Sequence, residues 1–374
     1  MQALKLVPAI YYFDTVREWN EAFPITERDL LVTNEWLYKP YIEPLGVKPG
    51  VIFQEKYGAG EPSDEMIDAI ARDAKQFGYD RVIALGGGTI LDICKVLALE
   101  VPEKSIDLYT GKVAPKKAKT LVAVPTTCGT GSEVTNVAIA ELKSLGLKKG
   151  IAVPETFADT AILIPETMKG LPYKVFVTSS VDALIHAIES FLSPKASPFT
   201  EVFSREAIAL IMRGYKAIVD GGEEARFGYM KDFVIAANYA GIAFGNAGCA
   251  AVHALSYSIG GAFHVPHGEA NYQFFTAVMK KYAAKAPDGK IRQLTGLLAG
   301  TLGADAADTG AVYEAFDIFL GKLIAKKPLR EYGMAEAQID EFTASTVENQ
   351  QRLLVNNYVF LEDAELREIF AELY

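Results

Sequence analysis

Cysteine and histidine are both scarce in this chain, which holds three of the first and four of the second in 374 residues. Cys94, Cys128 and Cys249 are odd in number, far apart and form no Cys-x-x-Cys pair. That excludes a disulfide framework and a zinc ribbon, and it fits a reducing compartment. Long apolar runs are missing too: nothing reaches the roughly 18 uninterrupted residues of a transmembrane helix. The first residues, MQALKLVPAIYYFDTVREW, meet charge at Lys5, Asp14 and Arg17, with no small-residue cleavage site behind an apolar stretch. No signal peptide is expected, and the expected compartment is the cytoplasm. Positive charge is in deficit, with a net charge of −10 and a pI near 5.1. Nucleic acid and an anionic membrane both need a basic face, so neither is expected as a partner.

What is present is apolar mass: half the residues are hydrophobic and 22% are charged, as in a globular protein. At roughly 100–200 residues per domain the length favours two domains. Up to about residue 170, short apolar runs alternate with amphipathic stretches, the pattern of a parallel α/β sheet. Asp29 to Thr33 (DLLVT), Val51 to Phe53, Arg81 to Leu85 (RVIAL), Thr120 to Val124 (TLVAV), Lys149 to Val153 and Thr160 to Ile164 (TAILI) read as strands. Asp64 to Phe77 places Met66, Ile67, Ile70, Ala71 and Ala74 at helical spacing and reads as a crossover helix. After Pro172 the strand signals stop. Ser204 to Val219, Asp232 to Phe244 and Ala311 to Ile324 are helical in period, so the second part is expected to be all-α. The boundary is placed in the GLPYK stretch, giving domains 1–172 and 173–374, with no internal repeat.

The segment RVIALGGGTILDICK, Arg81 to Lys95, is a buried strand, three glycines and a helix starting near Thr89. Such a turn lets backbone N–H groups at a helix N-terminus meet a phosphate with no Cβ in the way. It is not a Gly-x-Gly-x-x-Gly fingerprint, and a bare triple glycine is equally consistent with a tight β–α turn that holds nothing. A second loop, PTTCGTGSEVT from Pro125 to Thr135, follows the strand TLVAV. Alone it reads as a solvated Ser/Thr loop. As the second such loop at a carboxyl edge of one sheet, it points to a pyrophosphate or ribose.

In SVDALIHAIE, Ser180 to Glu189, Asp182 and His186 stand four residues apart and share a helix face. The other histidines, His253, His264 and His267, fall within fifteen residues of one another. A histidine among apolar neighbours is ordinarily a satisfied core residue. Here the shared face, the helical run AVHALSYSI around His253, the bend VPHG around His267 and the lack of a competing cysteine cluster tilt the reading toward a metal. One carboxylate with imidazoles suits Fe(II) or Zn(II), and ligand softness does not choose between them.

These residues carry a resemblance along nearly the whole chain to the iron-containing, or group III, alcohol dehydrogenase family. The matching stretches are GGGTILDICK, PTTCGTGSEVT, ILIPETMKGLP leading into SSVDALIHAIE, and AVHALSYSIGGAFHVPHGEAN. The resemblance implies an N-terminal dinucleotide-binding α/β domain, an all-α metal-binding and catalytic C-terminal domain, and hydride transfer between an alcohol or aldehyde and a nicotinamide cofactor. Carried over by position, it implies Asp182, His186, His253 and His267 as metal ligands that act in catalysis through the metal. Fe(II) is favoured over Zn(II). It implies Gly86, Gly87, Gly88 and Thr89 as the pyrophosphate turn, Thr126, Thr127 and Thr130 as the second cofactor loop, and Lys149 as a contact to the cofactor ribose. His264 is left over, for a proton path or for packing.

Two positions depart from the family pattern. Asn34 stands where many members have an aspartate on the adenosine ribose, so NAD is favoured and NADP stays open. Tyr257 stands where many have a second histidine, and a phenol with an ordinary pKa near 10 is a poorer proton relay. The resemblance is strongest to the branch that interconverts 4-hydroxybutyrate and succinate semialdehyde. The alternatives are a glycerol- or propanediol-type dehydrogenase acting on a neutral substrate, and a dehydroquinate-synthase-like lyase. A small-molecule substrate and a homodimer or larger homo-oligomer are expected.

Overall fold

The computed structural model describes residues 2–374 and divides into two compact units, Leu6–Gly170 and Leu171–Tyr374, with residues 2–5 joined to the second. Eight strands lie in the first unit: β1 (Ala9–Tyr12), β2 (Asp29–Thr33), β3 (Gly50–Phe53), β4 (Arg81–Gly86), β5 (Thr120–Pro125), β6 (Val137–Leu142), β7 (Leu147–Ala152) and β8 (Thr160–Leu163). Six of them form a parallel sheet in the order β1-β8-β5-β4-β2-β3. The central strands β2, β4 and β5 carry continuous apolar runs because both their faces are covered. Leu30, Val32, Val82, Ala84, Leu121 and Ala123 enter one core, while Leu31, Ile83, Leu85, Val122 and Val124 enter the other. Alternate residues thus bury on opposite faces, as the two-residue period of a strand requires. The crossover helix Asp64–Ala74 starts at Ser63, whose side chain accepts a hydrogen bond from the Met66 N–H, and it turns Met66, Ile67, Ile70 and Ala74 inward.

Chain order reverses at β2: β3 lies on one side of it and β4 on the other. In open α/β sheets ligands bind beside such a reversal, at the carboxyl ends of the strands. Asn34 follows β2, the glycine turn follows β4 and the threonine loop follows β5, so all three lie at the same edge of the sheet.

The structure corrects one strand expectation and adds an unexpected strand. Lys149 to Val153 is not a strand of the parallel sheet, because β7 pairs antiparallel with β6 in a separate hairpin. The edge strand β1 was not among the expected strands; its residues, AIYY, are apolar but largely exposed.

Among the described residues the second unit contains helices and no strands. Tyr173–Leu192 is its core helix, buried almost continuously from Phe176 to Leu192 and packed by the helices Pro198–Gly221, Met230–Ala247 and His267–Lys285. By length and composition this helix could cross a membrane, its most apolar 18-residue stretch having a mean hydropathy of 1.4, but 83% of that stretch is buried inside the protein. It is apolar all round because protein surrounds it.

Candidate metal centre and cofactor loops

In the helix Tyr173–Leu192, Asp182 and His186 sit one turn apart with Oδ2 and Nδ1 at 3.9 Å. The helix Ala251–Phe263 contributes His253, whose Nε2 is 3.0 Å from Nε2 of His186 and 3.8 Å from Oδ1 of Asp182. The helix His267–Lys285 opens with His267, whose Nε2 is 3.7 Å from Asp182 Oδ1. One donor atom from each residue lies within 4.8 Å of all the others, and Asp182, His186 and His253 are buried while His267 is half-buried. Gly268 makes this approach possible. A Cβ there would stand 2.4 Å from the Thr178 carbonyl oxygen and 3.4 Å from Asp182 Cβ.

Other side chains fix the donors. Glu189, one helical turn beyond His186, faces the Nδ1 of His253 at 2.7 Å. The same carboxylate accepts from the Ala250 N–H at 2.8 Å and the Val252 N–H at 2.7 Å. An ionised carboxylate has only acceptors to offer, and with two backbone N–H groups already directed at it, it receives the Nδ1 proton and leaves the Nε2 lone pair facing the ligand cluster. The Asn271 amide donates to Asp182 Oδ1 at 2.7 Å and lies 3.1 Å from His267 Nε2. Ser256 holds the carbonyl of that amide. Phe244 stacks on His186, with ring centroids 4.1 Å apart.

Burial opposes ionisation of Asp182, but His186, His267, His253 and the Asn271 amide outweigh it and hold its carboxyl below the usual range. Burial also opposes a charged His253, yet Cys249 and Glu189 more than offset it and hold the imidazole well above the usual histidine value. Burial raises the Cys249 thiol pKa as well. A neutral thiol is a weak source of field, so Glu189 is the effective charge. Glu189, Cys249 and His253 form a second, overlapping donor set. The three hydrogen bonds to Glu189 make it an orienter of His253 rather than a ligand.

In the sheet unit the glycine turn and the threonine loop meet. The Thr126 N–H donates to the Gly86 carbonyl at 3.0 Å. A Cβ on Gly87 would lie 3.4 Å from Thr127 Cγ2, and one on Gly88 would lie 3.0 Å from Thr130 Cγ2. Thr126 Oγ1 is buried without a protein partner, and no side chain caps the helix Gly88–Leu97. Thr89 Oγ1 donates to the Gly60 carbonyl at 3.1 Å. Asn34 donates to Oε2 of Glu55 at 2.8 Å, and the Glu35 N–H donates to Oε1 at 2.7 Å. Lys149 is exposed on β7, paired opposite Ala140. His264 ends the helix Ala251–Phe263 in the left-handed conformation, exposed and outside the four-residue group.

Sequence reasoning passed over Glu189, Asn271, Glu55 and Lys95. The Lys95 ammonium, on a side chain 1% exposed, donates to Ser132 Oγ and to the Val137 carbonyl, each at 2.6 Å. Asp92 accepts from Ser132 Oγ at 2.6 Å and from the Ile139 N–H at 3.0 Å. Together they anchor the threonine loop to the helix behind the glycine turn. Glu189 did leave a signal: an acid seven residues after Asp182, on the same face of an otherwise apolar helix.

Two family models match the chain: "Iron-containing alcohol dehydrogenase" over residues 11–165 and "Fe-containing alcohol dehydrogenase family, C-terminal" over residues 176–374. The 4-hydroxybutyrate dehydrogenase of Clostridium kluyveri is 53% identical over 374 residues, covering 100% of both chains. Long-chain-alcohol dehydrogenase 1 of Geobacillus thermodenitrificans is 35% identical over 312 residues, 81% of this chain and 76% of that protein. Among solved structures, a 1,3-propanediol oxidoreductase superposes with a TM-score of 0.86 at 23% identity, covering 100% of both chains. Sulfoacetaldehyde reductase from Bifidobacterium kashiwanohense, solved with NAD+, gives 0.84 at 22% identity, covering 100% of this chain and 98% of that one. At such identities the structural likeness shows the fold.

Proposed function

This chain belongs to the iron-containing alcohol dehydrogenase family, and we propose that within it the enzyme interconverts 4-hydroxybutyrate and succinate semialdehyde, with NAD as hydride carrier. The observation that carries the substrate is the 53% identity to 4-hydroxybutyrate dehydrogenase along all 374 residues. Family membership sets the chain among the dehydrogenases rather than beside the lyase.

Three imidazoles and one carboxylate held ionised, converging within 4.8 Å in a largely dry site, suit a divalent transition-metal ion. Asp182, His186, His253 and His267 would hold it, and Fe(II) is preferred to Zn(II) on the family's description. When bound, the cation supplies Lewis-acid polarisation of the substrate oxygen, and the nicotinamide supplies or accepts the hydride. The chain's own residues keep the site ready. Glu189 sets the His253 tautomer, the Asn271 amide spans Asp182 and His267, and Phe244 covers His186.

Residues 1–172 are read as the dinucleotide-binding domain and 173–374 as the metal-binding domain. The uncapped first turn after Gly86 to Gly88, Thr89 and the buried, unpartnered hydroxyl of Thr126 supports binding of a pyrophosphate there, with Thr127 and Thr130 alongside. The Glu55 carboxylate beside Asn34 supports NAD over NADP, since it restores the negative charge that a 2′-phosphate would meet. Three buried cysteines, none of them in a disulfide, support a reducing cytoplasm. Exposed Phe199 and Val202, three residues apart on one helix, support a homo-oligomer.

The test is anaerobic purification with metal analysis, followed by kinetics. Succinate semialdehyde is expected to be reduced with a higher kcat/KM than butyraldehyde, and NADH to be used in preference to NADPH. Equal rates on the two aldehydes would overturn the acid-substrate reading.

A further inference from the structure

Tyr257 follows His253 by one helical turn, and its ring centre lies 6.3 Å from that of His267. The Tyr257 hydroxyl is 3.3 Å from Nη2 of Arg352, whose guanidinium carbon is 5.7 Å from the centre of the phenol ring. A cation therefore reaches to within one aromatic ring of the ligand cluster. The two side chains come from the helices Ala251–Phe263 and Gln351–Leu354, which pack on each other. Where they pack, a small buried cluster of Cys249, Ala254 and Leu353 is flanked by the half-buried Phe244, Tyr257 and Leu354. Phe244 is the ring that stacks on His186. From the ligands outward, the helical unit thus offers imidazole, then aliphatic and aromatic carbon, then a guanidinium.

Arg352 is exposed, and among the described residues no carboxylate pairs with it; its contacts are the phenol of Tyr257 and a backbone carbonyl link through Asn356. Elsewhere in the same unit Arg213 pairs with Asp232 at 2.7 Å and Arg367 with Asp340 at 2.6 Å. In a chain with 47 acidic and 37 basic side chains, an arginine without an acid beside it presents its fork to an anion from solution. Guanidinium matches carboxylate geometry with two parallel N–H···O bonds.

We infer that Arg352, with the Tyr257 hydroxyl beside it, is the subsite for the distal carboxylate of the substrate. This rests on the acid-substrate reading above and supplies the recognition element that reading needs. A four-carbon ω-hydroxy acid spans roughly 5 Å from hydroxyl oxygen to carboxyl carbon by standard bond lengths. Its methylene segment lies along the half-buried edge of that cluster, formed by Phe244, Tyr257 and Leu354, while its carboxylate meets the fork. A neutral aldehyde of the same length has the methylenes but nothing for Arg352 to bind. Tyr257 thereby has a role other than proton relay.

The test compares wild type, Arg352→Met, Arg352→Lys and Tyr257→Phe on succinate semialdehyde and butyraldehyde. Arg352→Met is expected to shrink the ratio of the two kcat/KM values by about 10- to 100-fold, through KM more than kcat. Arg352→Lys recovers part of the ratio, and Tyr257→Phe shrinks it by a smaller factor. Independently of turnover, calorimetric titration with butyrate is expected to weaken by a similar factor in Arg352→Met. If wild type prefers succinate semialdehyde while Arg352→Met lowers both aldehydes equally, or leaves butyrate binding as it was, the subsite is wrong and the substrate reading stands. If wild type shows no preference, the substrate reading fails and takes the subsite with it. Because Arg352 is exposed, and Tyr257→Phe keeps the half-buried ring and removes only its hydroxyl, all variants are expected to melt as wild type does.

Discussion

The two candidate sites are made of different material. In the helical unit the donors are side chains held by further side chains: Asp182 by Asn271, His253 by Glu189, His186 by the Phe244 ring. In the sheet unit the glycine turn offers backbone N–H groups and an absence of Cβ atoms against Thr127 and Thr130. The first site depends on charge and tautomer, in a dry environment where each is strongly coupled to its neighbours. The second depends on free volume. Changes of donor chemistry should therefore break the first and added volume the second.

The largest effect is expected at Asp182. Asp182→Asn keeps the shape but removes the one negative charge among three imidazoles. Metal content measured by plasma emission should fall to background, and kcat/KM should fall by about 10³-fold or more. Full metal occupancy with full turnover in this variant would remove the site assignment.

A smaller effect is expected one step out. Glu189→Gln should weaken metal affinity by about 10- to 100-fold in chelator competition, because an amide can neither accept from all three donors nor hold the imidazole tautomer. The pH dependence has a definite sign. Glu189 raises the His253 pKa, and His253 binds a cation only when its Nε2 is deprotonated. Below the raised pKa the proton competes, so wild-type affinity should climb as pH rises above the ordinary histidine value near 6.5. In Glu189→Gln that climb should move to lower pH while the plateau drops. A plateau equal to wild type would show that Glu189 does not position the ligand.

The contrast also explains what could be seen in the sequence. The strands β2, β4 and β5 were legible because both their faces are buried, so each has an unbroken apolar run between polar ends. Asp182 and His186 were legible because i, i+4 is a helical neighbour relation. The hairpin partner β6 was not, since its pairing with a mostly exposed β7 leaves a weak pattern. The orienting residues were hidden for another reason. Glu189 meets His253 from 64 positions away, Asn271 meets Asp182 from 89, and Arg352 meets Tyr257 from 95. No local periodicity encodes such contacts; the packing of helices creates them. Lys95 closes the stretch GGGTILDICK, yet its burial under the threonine loop depends on how that loop folds back over the helix.

The smallest effect should come from a single methyl group in the glycine turn. A Cβ on Gly88 would meet Thr130 Cγ2 at 3.0 Å and Oγ1 at 3.5 Å, a side-chain contact that a few tenths of an ångström relieve. Alanine also suits a helix better than glycine, by about 0.5–1 kcal/mol, so Gly88→Ala should not lower the melting temperature. What it adds is bulk where the uncapped N–H groups face out. The KM for NADH should rise by roughly 3- to 10-fold, about 1 kcal/mol of lost binding, with kcat nearly constant and metal content as in wild type. That combination separates the sites: volume added in the sheet unit costs cofactor affinity alone. An unchanged KM for NADH would show that the glycine turn is only a tight connection between strand and helix.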